Sequence, residues 1–336
     1  MANGLKKEIV LGSAIAGAVG AFGLYMYMSN KKQKEYKRVA TVAKLYLHPV
    51  KSLKAIEVDE GEVTSRGFKS NGIYDRSFMV VDEEDRAITA RKCPKMILIE
   101  PSFAEDEKHL VLSVEGKEDL YIPLDQQGTR IESRVWGIPV SGYDCGEEVA
   151  KWLSDYLEGT YRMVFYSEEL PAKLLTKDVR FGVHMKDNET SLYQDCTQFL
   201  IISEASMEDL NTRIEEPVTE RNFRPNIYVT GCSAYAEDFW KYVKVGEEAE
   251  MRFTHFCGRC KMTTLNHETG SFISLDPLKT LKEYRQCYSF VEDRKSYATS
   301  PIFGTNLNLE NKGVVRVGDE VFATYQYQEH AGNKLN

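Results

Sequence analysis

The sequence predicts an α+β, β-rich protein carried on an N-terminal transmembrane helix. Three observations predict it: an uncharged apolar run close to the start, a series of short β-branched or aromatic runs beyond residue 40, and only a few segments with helical spacing.

The apolar run is "IVLGSAIAGAVGAFGLYMYM", Ile9–Met28, 20 residues without a charge. A helix of that length crosses a hydrocarbon core of about 30 Å. It is longer than the roughly 7–15 apolar residues of a cleaved signal peptide, and a basic stop, "NKKQKEYKR", follows it. Lys31, Lys32, Lys34, Lys37 and Arg38 lie behind the run against Lys6 and Lys7 in front of it. The positive-inside rule therefore puts the C-terminal body on the cytosolic side. Residues 1–38 are read as anchor and basic collar.

Beyond the collar, "VATVAKLYLHPV" (39–50), "SFMVVD" (77–82), "KMILIE" (95–100) and "HLVLSV" (109–114) are short strand-like runs broken by Gly, Pro and acidic turns, the pattern of a barrel or sandwich. A helix is expected over 146–158, where Val149, Trp152, Leu153, Tyr156 and Leu157 recur at helical spacing and Asp144 with Glu147 reads as a capping box. A boundary placed just behind it divides the body into 39–160 and 161–336. The second part mixes helices at about 204–214 and 278–285 with strands "NIYVTG", "AEMRFTHF" and "GVVRVGDEVFAT".

Charge narrows the function class. The chain of 336 residues carries a net −8, but seven basic residues against Glu8 and Glu35 leave the first 38 residues at +5, so the body carries −13. An acidic body argues against general nucleic-acid binding. Seven cysteines at irregular spacings suit a reducing compartment better than a disulfide framework.

The stretch "FCGRCKMTTLNHETG", Phe256–Gly270, holds Cys257 and Cys260 at metal-ligand or redox spacing. A structural zinc site needs four ligands, and no second closely spaced Cys or His pair exists here. His255 and His267 read as ordinary polar residues. A redox dithiol is expected at a helix start, whereas "KMTTLN" reads as β-prone. On the residues alone, a single working sulfur and a pair of packing thiols both remain open.

Other segments form an ordered set: "HPVKS" (His48–Ser52), "YDRSFMVVD" (Tyr74–Asp82), "ITARKCP" (Ile88–Pro94), "FLIISEAS" (Phe199–Ser206), "RNFRPNIYVTG" (Arg221–Gly231), "CGRCKMTTLNHETG" (Cys257–Gly270) and "SPIFGTN" (Ser300–Asn306). In this order they resemble the MOSC-domain family, and within it the mitochondrial amidoxime-reducing components. The resemblance implies a MOSC N-terminal β-barrel-like domain over 39–160 and a MOSC β-barrel domain with peripheral helices over 161–336. It also implies molybdenum cofactor, a pyranopterin with a metal-holding dithiolene and a phosphate tail. Such a group needs one soft anionic metal ligand, cations and amide donors for phosphate, and polar groups for the pterin edge.

By the same resemblance Cys260 is the metal ligand, and Lys51, Ser52, Arg76 and Arg224 hold phosphate and pterin. Asn222 and Asn226 flank Arg224; Pro225 is expected to keep Arg224 extended, so that all three side chains point one way. "YQDCTQ" matches a turn near the metal, making Asp195, Cys196 and Thr197 pocket residues, with Asp195 orienting substrate or moving protons. Cys196 stands where the family pattern has a hydroxyl. Gly258 stands where Ser is frequent, which preserves a backbone N–H contact. Arg259 and Asn306 complete the expected cofactor-binding set.

The implied reaction is reduction of amidoximes and hydroxylamines to their N–H forms at the outer mitochondrial membrane. The chain has no haem-attachment motif, iron–sulfur cysteine set or glycine-rich dinucleotide loop, so its electrons come from outside. The resemblance names cytochrome b5 and its NADH-dependent reductase as the source. Two further readings are a MOSC sulfur carrier using a persulfide on Cys260, for which a pyridoxal-phosphate partner domain is expected, and a non-catalytic membrane-tethered binding module.

Overall fold

Alternation of apolar and polar residues along Lys37–Leu47 produces strand β1, whose side chains Ala40, Val42 and Leu45 are buried. The structure, a computed structural model, describes residues 34–125, 128–175, 185–272, 274–292 and 294–327. The anchor expected at Ile9–Met28 lies outside the described residues. Among the described residues no helix is long and apolar enough to cross a membrane.

Six later strands join β1: β2 (Phe199–Ser203), β3 (Ile227–Thr230), β4 (Trp240–Val245), β5 (Ala249–Gly258), β6 (Ile302–Asn311) and β7 (Glu320–Tyr325). They are hydrogen-bonded in the order β3-β2-β6-β5-β4-β7-β1, and β1 pairs again with β3, closing a seven-stranded barrel. Only β2 and β3 run parallel; the other barrel pairs are antiparallel. Closure depends on β1 serving two partners. Irregularities between Arg38 and Ala40 and between Val42 and Lys44 coil it from β7 toward β3. The interior is packed with fully buried side chains including Leu45, Ile201, Val229, Trp240, Val243 and Phe256.

Beside the barrel, Arg130–Val135, Ile138–Asp144, Tyr161–Phe165 and Phe78–Asp82 form an antiparallel sheet. Helix α1 (Glu147–Leu157) buries Val149, Trp152, Leu153 and Leu157, as its spacing predicts. The helices expected in the second part are α2 (Glu204–Asn211), capped by the Ser203 side chain on Ser206 N, and α3 (Leu278–Tyr284).

Four local expectations are corrected. "KMILIE" does not form a strand until Glu100, because Pro94 opens a 3-10 turn over Pro94–Leu98. "KMTT" is a 3-10 turn at Lys261–Thr264, where Thr263 Oγ1 and Thr264 Oγ1 bond back to Cys260 O and Lys261 O at 3.1 and 2.9 Å, competing with strand pairing. Asp144 does not cap α1: the N-cap is Gly146 at φ +95°, and the Asp144 carboxylate binds Gly146 N and Arg162. Arg224 is not extended. It sits at φ +59° behind the Glu220–Asn222 turn, since a following proline disfavours the right-handed helical region without forcing the strand region.

Candidate functional site

The end of β1 runs into His48–Ser52, where Lys51 N donates to Phe78 O at 2.8 Å and Ser52 turns the chain at φ +73°. Arg76 sits at φ +49°, held by its N–H on His48 O at 2.6 Å and by Tyr193 N on its carbonyl at 3.1 Å. With Arg224, three cofactor candidates thus occupy left-handed backbone. Such strain costs about 1–3 kcal/mol per residue and persists only where the surroundings impose it.

Asp75 organises this wall and was not read from the sequence. Fully buried, its carboxylate accepts from His48 N at 3.0 Å, Asn226 Nδ2 at 2.9 Å and Arg76 Nη1 at 2.5 Å. Arg224 Nη1 donates to Leu53 O at 2.6 Å; Arg259 donates to Phe303 O and Phe223 O at 2.7 and 2.9 Å, with its guanidinium 5.1 Å from the Phe223 ring. The Nη2 atoms of Arg224 and Arg259 are buried without a hydrogen-bond partner. Burial lowers the pKa of both guanidinium groups, Arg224 to about 9. Orphaned cationic donors of this kind are costly unless an anion or polar group receives them.

Lys51 Nζ donates to Tyr193 O at 2.7 Å and forms an ion pair with Asp195. Partial desolvation in the cavity pushes the Asp195 carboxyl, whose side chain is 49% exposed, upward, but Lys51, then Arg91 and Lys173, outweigh it and hold the carboxyl well below the usual carboxylate range. Thr197 Oγ1 donates to Asn306 Oδ1 at 3.0 Å, and Asn306 Nδ2 donates to His255 Nε2 at 3.1 Å. Burial pushes the Cys196 thiol up to about 12 and raises the Cys257 thiol as well. Cys260, just past the end of β5, is the exposed thiol of the three.

These groups face one cavity of about 550 Å³. Lys51, Ser52, Arg76, Asp195, Cys196, Thr197, Asn222, Arg224, Asn226, Gly258, Arg259, Cys260 and Asn306, every site residue singled out in the sequence, line it. Asn222 reaches the wall differently than expected, its Nδ2 tying down Thr263 O and Leu265 O at 3.2 and 3.0 Å. The sequence reading missed Thr89, Arg91, Trp136 and His255 in the lining. His255 lies on β5 two residues before Cys257, so strand alternation was the available signal for it. His267 lies apart, lining a smaller cavity of about 170 Å³ with His48, Lys54 and Arg224.

The profile of the MOSC N-terminal beta barrel domain matches residues 39–160, and that of the MOSC domain matches residues 172–322. The chain belongs to the MOSC-domain family. Within it, the chain is 37% identical to mitochondrial amidoxime-reducing component 1 of Homo sapiens over 310 residues, 91% of this chain and 90% of that protein. It is 37% identical to component 1 of Mus musculus over 295 residues, covering 87% and 84% of the two chains. Component 2 of Bos taurus is 35% identical over 298 residues, 88% and 86% of the two. The cavity of this MOSC protein draws residues from both matched segments, Lys51 and Arg76 from the first and Asp195, Arg224 and Cys260 from the second.

Proposed function

We propose that this chain is a molybdenum cofactor-dependent reductase of N-hydroxylated compounds, taking amidoximes and hydroxylamines to their N–H forms. Each turnover consumes two electrons and two protons and releases the oxygen as water. The electrons come from cytochrome b5 and its NADH-dependent reductase. Ile9–Met28 tethers the body to the outer mitochondrial membrane on the cytosolic side, where a shared surface raises the effective concentration of the redox partners. The names of the relatives support this reading, and one observation carries it: a single cavity gathers the exposed Cys260 thiol with the cationic side chains of Lys51, Arg76, Arg224 and Arg259.

The residues fit the cofactor. Among the described residues no cluster of three or more His, Cys, Asp or Glu side chains is arranged to hold a metal ion, which suits a metal that arrives with its own sulfur ligands and needs one more. Cys260 would be that ligand; Lys51, Ser52, Arg76 and Arg224 would bind phosphate and pterin, and Arg259, Asn222, Asn226, Asn306, Thr197, Gly258 and Cys196 would border them. When bound, the cofactor would supply the two-electron redox chemistry of the reduction. Asp195 stays ionised beside Lys51 and accepts a hydrogen bond from the substrate's N–H, orienting it rather than supplying a proton.

The test is molybdenum and pterin analysis of protein from a cofactor-competent host, coupled to benzamidoxime reduction with the cytochrome b5 system. Both groups and the activity are expected, and Cys260→Ser is expected to abolish reduction in folded protein. Well-folded protein lacking both groups overturns the reading.

A further inference from the structure

The strands Arg130–Val135 and Ile138–Asp144 are joined by the two-residue turn Trp136–Gly137, with φ +54° and +84°. Hairpin turns with two positive φ angles favour Asn-Gly or Asp-Gly, and a bulky residue in the first place is a conformational outlier. Trp136 is also 60% exposed, whereas Trp152 and Trp240 are 8% and 0% exposed. Neither backbone preference nor burial accounts for a tryptophan at this tip.

Its surroundings give an account. The Arg91 guanidinium lies 4.7 Å from the centre of the indole ring, and both side chains line the rim of the cavity that contains Cys260. The other cations of that wall are differently placed. Lys51 is paired with Asp195, Arg76 with Asp75, Arg259 is buried, and Arg224 is half-buried with its Nη1 on Leu53 O. Among the described residues Arg91 makes no close ion pair: its guanidinium lies on the ring face and acts on the Asp195 carboxylate from a distance. Thr89 and Ile138 line the same cavity. A half-exposed aromatic face beside a guanidinium with no carboxylate in contact with it is complementary to a planar ring that carries an anionic group.

We propose that Arg91 and Trp136 form a rim clamp selecting substrates with an aromatic ring bearing an anionic group, the ring lying on the indole and the anion on the guanidinium. This deepens the reductase reading by naming a substrate class, and rests on that reading for what is reduced. Binding itself can be followed without turnover, because Trp136 is the one exposed tryptophan of the three.

Tryptophan fluorescence of the full-length purified protein is titrated with benzoate and, as the neutral control, benzamide. Benzoate is expected to quench the emission and bind tighter than benzamide; Trp136→Phe removes the signal, and Arg91→Gln weakens benzoate about tenfold, the loss of one charge-assisted contact. Arg91→Lys, which retains the charge, keeps the preference. In the reduction assay, the kcat/KM ratio of 4-carboxybenzamidoxime to benzamidoxime falls about tenfold in Arg91→Gln. Equal binding of benzoate and benzamide by the unmodified protein, or an unchanged ratio in folded Arg91→Gln, overturns the clamp. Preferential benzoate binding by a cofactor-loaded protein that reduces no amidoxime would instead sink the reductase reading and leave the clamp standing.

Discussion

Replacing Asp75 by Asn tests whether the cavity wall is organised as described. The carboxylate uses one oxygen for His48 N and Asn226 Nδ2 and the other for Arg76 Nη1. An amide placed with its oxygen toward His48 turns an NH2 against the guanidinium; the reverse placement turns it against two N–H donors. Either way a buried donor is left without an acceptor. A lost hydrogen bond to a charged group costs about 1.5–3 kcal/mol, and breaking a buried ion pair about 3–5 kcal/mol. Asp75 is fully buried and the Arg76 side chain is 15% exposed. The expected loss is therefore about 3 kcal/mol, between those two ranges. Urea unfolding of matched proteins measures it, and molybdenum content reads the release of Arg76 from its strained place at φ +49°. A stability change below about 0.5 kcal/mol, the level of an ordinary surface substitution, with full metal content would refute the reasoning.

Gly304 lies at φ +77°, and a Cβ there would stand 2.6 Å from Ile202 Cγ1, 2.9 Å from Ile201 O and 3.3 Å from Arg259 Nη2; Gly304→Ala should cost about 2–3 kcal/mol in chemical denaturation and lower cofactor content, and wild-type stability would contradict the packing. Burial, with Arg224, Lys54 and Arg221 behind it, lowers the His267 pKa to about 4, against 6.5 for a free histidine. The unfolded chain then binds more protons between those values, so this stability is present above pH 6.5 and lost as pH falls toward 4. Between pH 7 and pH 5 wild type should lose about 2 kcal/mol more than His267→Gln in urea titrations, and parallel curves would contradict the shift.

Much of the barrel was legible where a strand keeps one face wet, as in Lys37–Leu47 or Glu320–Tyr325. Its closure was not legible, because the bulges that let β1 reach both β3 and β7 leave no local mark in the sequence. The runs at Pro94–Leu98 and Lys261–Thr264 misled for opposite reasons, the first through apolar content that overrode a proline signal, the second through β-branched threonines whose hydroxyls prefer a turn. In the site, the cysteine and the cations came from the family resemblance, carried by an ordered set of motifs spread from His48 to Asn306. Asp75 and Arg91 lay in those motifs without a role, and Trp136 and His255 outside them, since each gains its meaning from neighbours supplied by distant segments.

The central claim is that one thiolate, Cys260, holds the metal of a bound molybdenum cofactor. X-ray absorption at the molybdenum edge tests it most directly, comparing loaded wild type with Cys260→Ser. Cys260→Ser should show one sulfur fewer around the metal, and Cys257→Ser and Cys196→Ser spectra should match wild type. An unchanged sulfur shell in Cys260→Ser, or a sulfur lost in either of the other two variants, would contradict it.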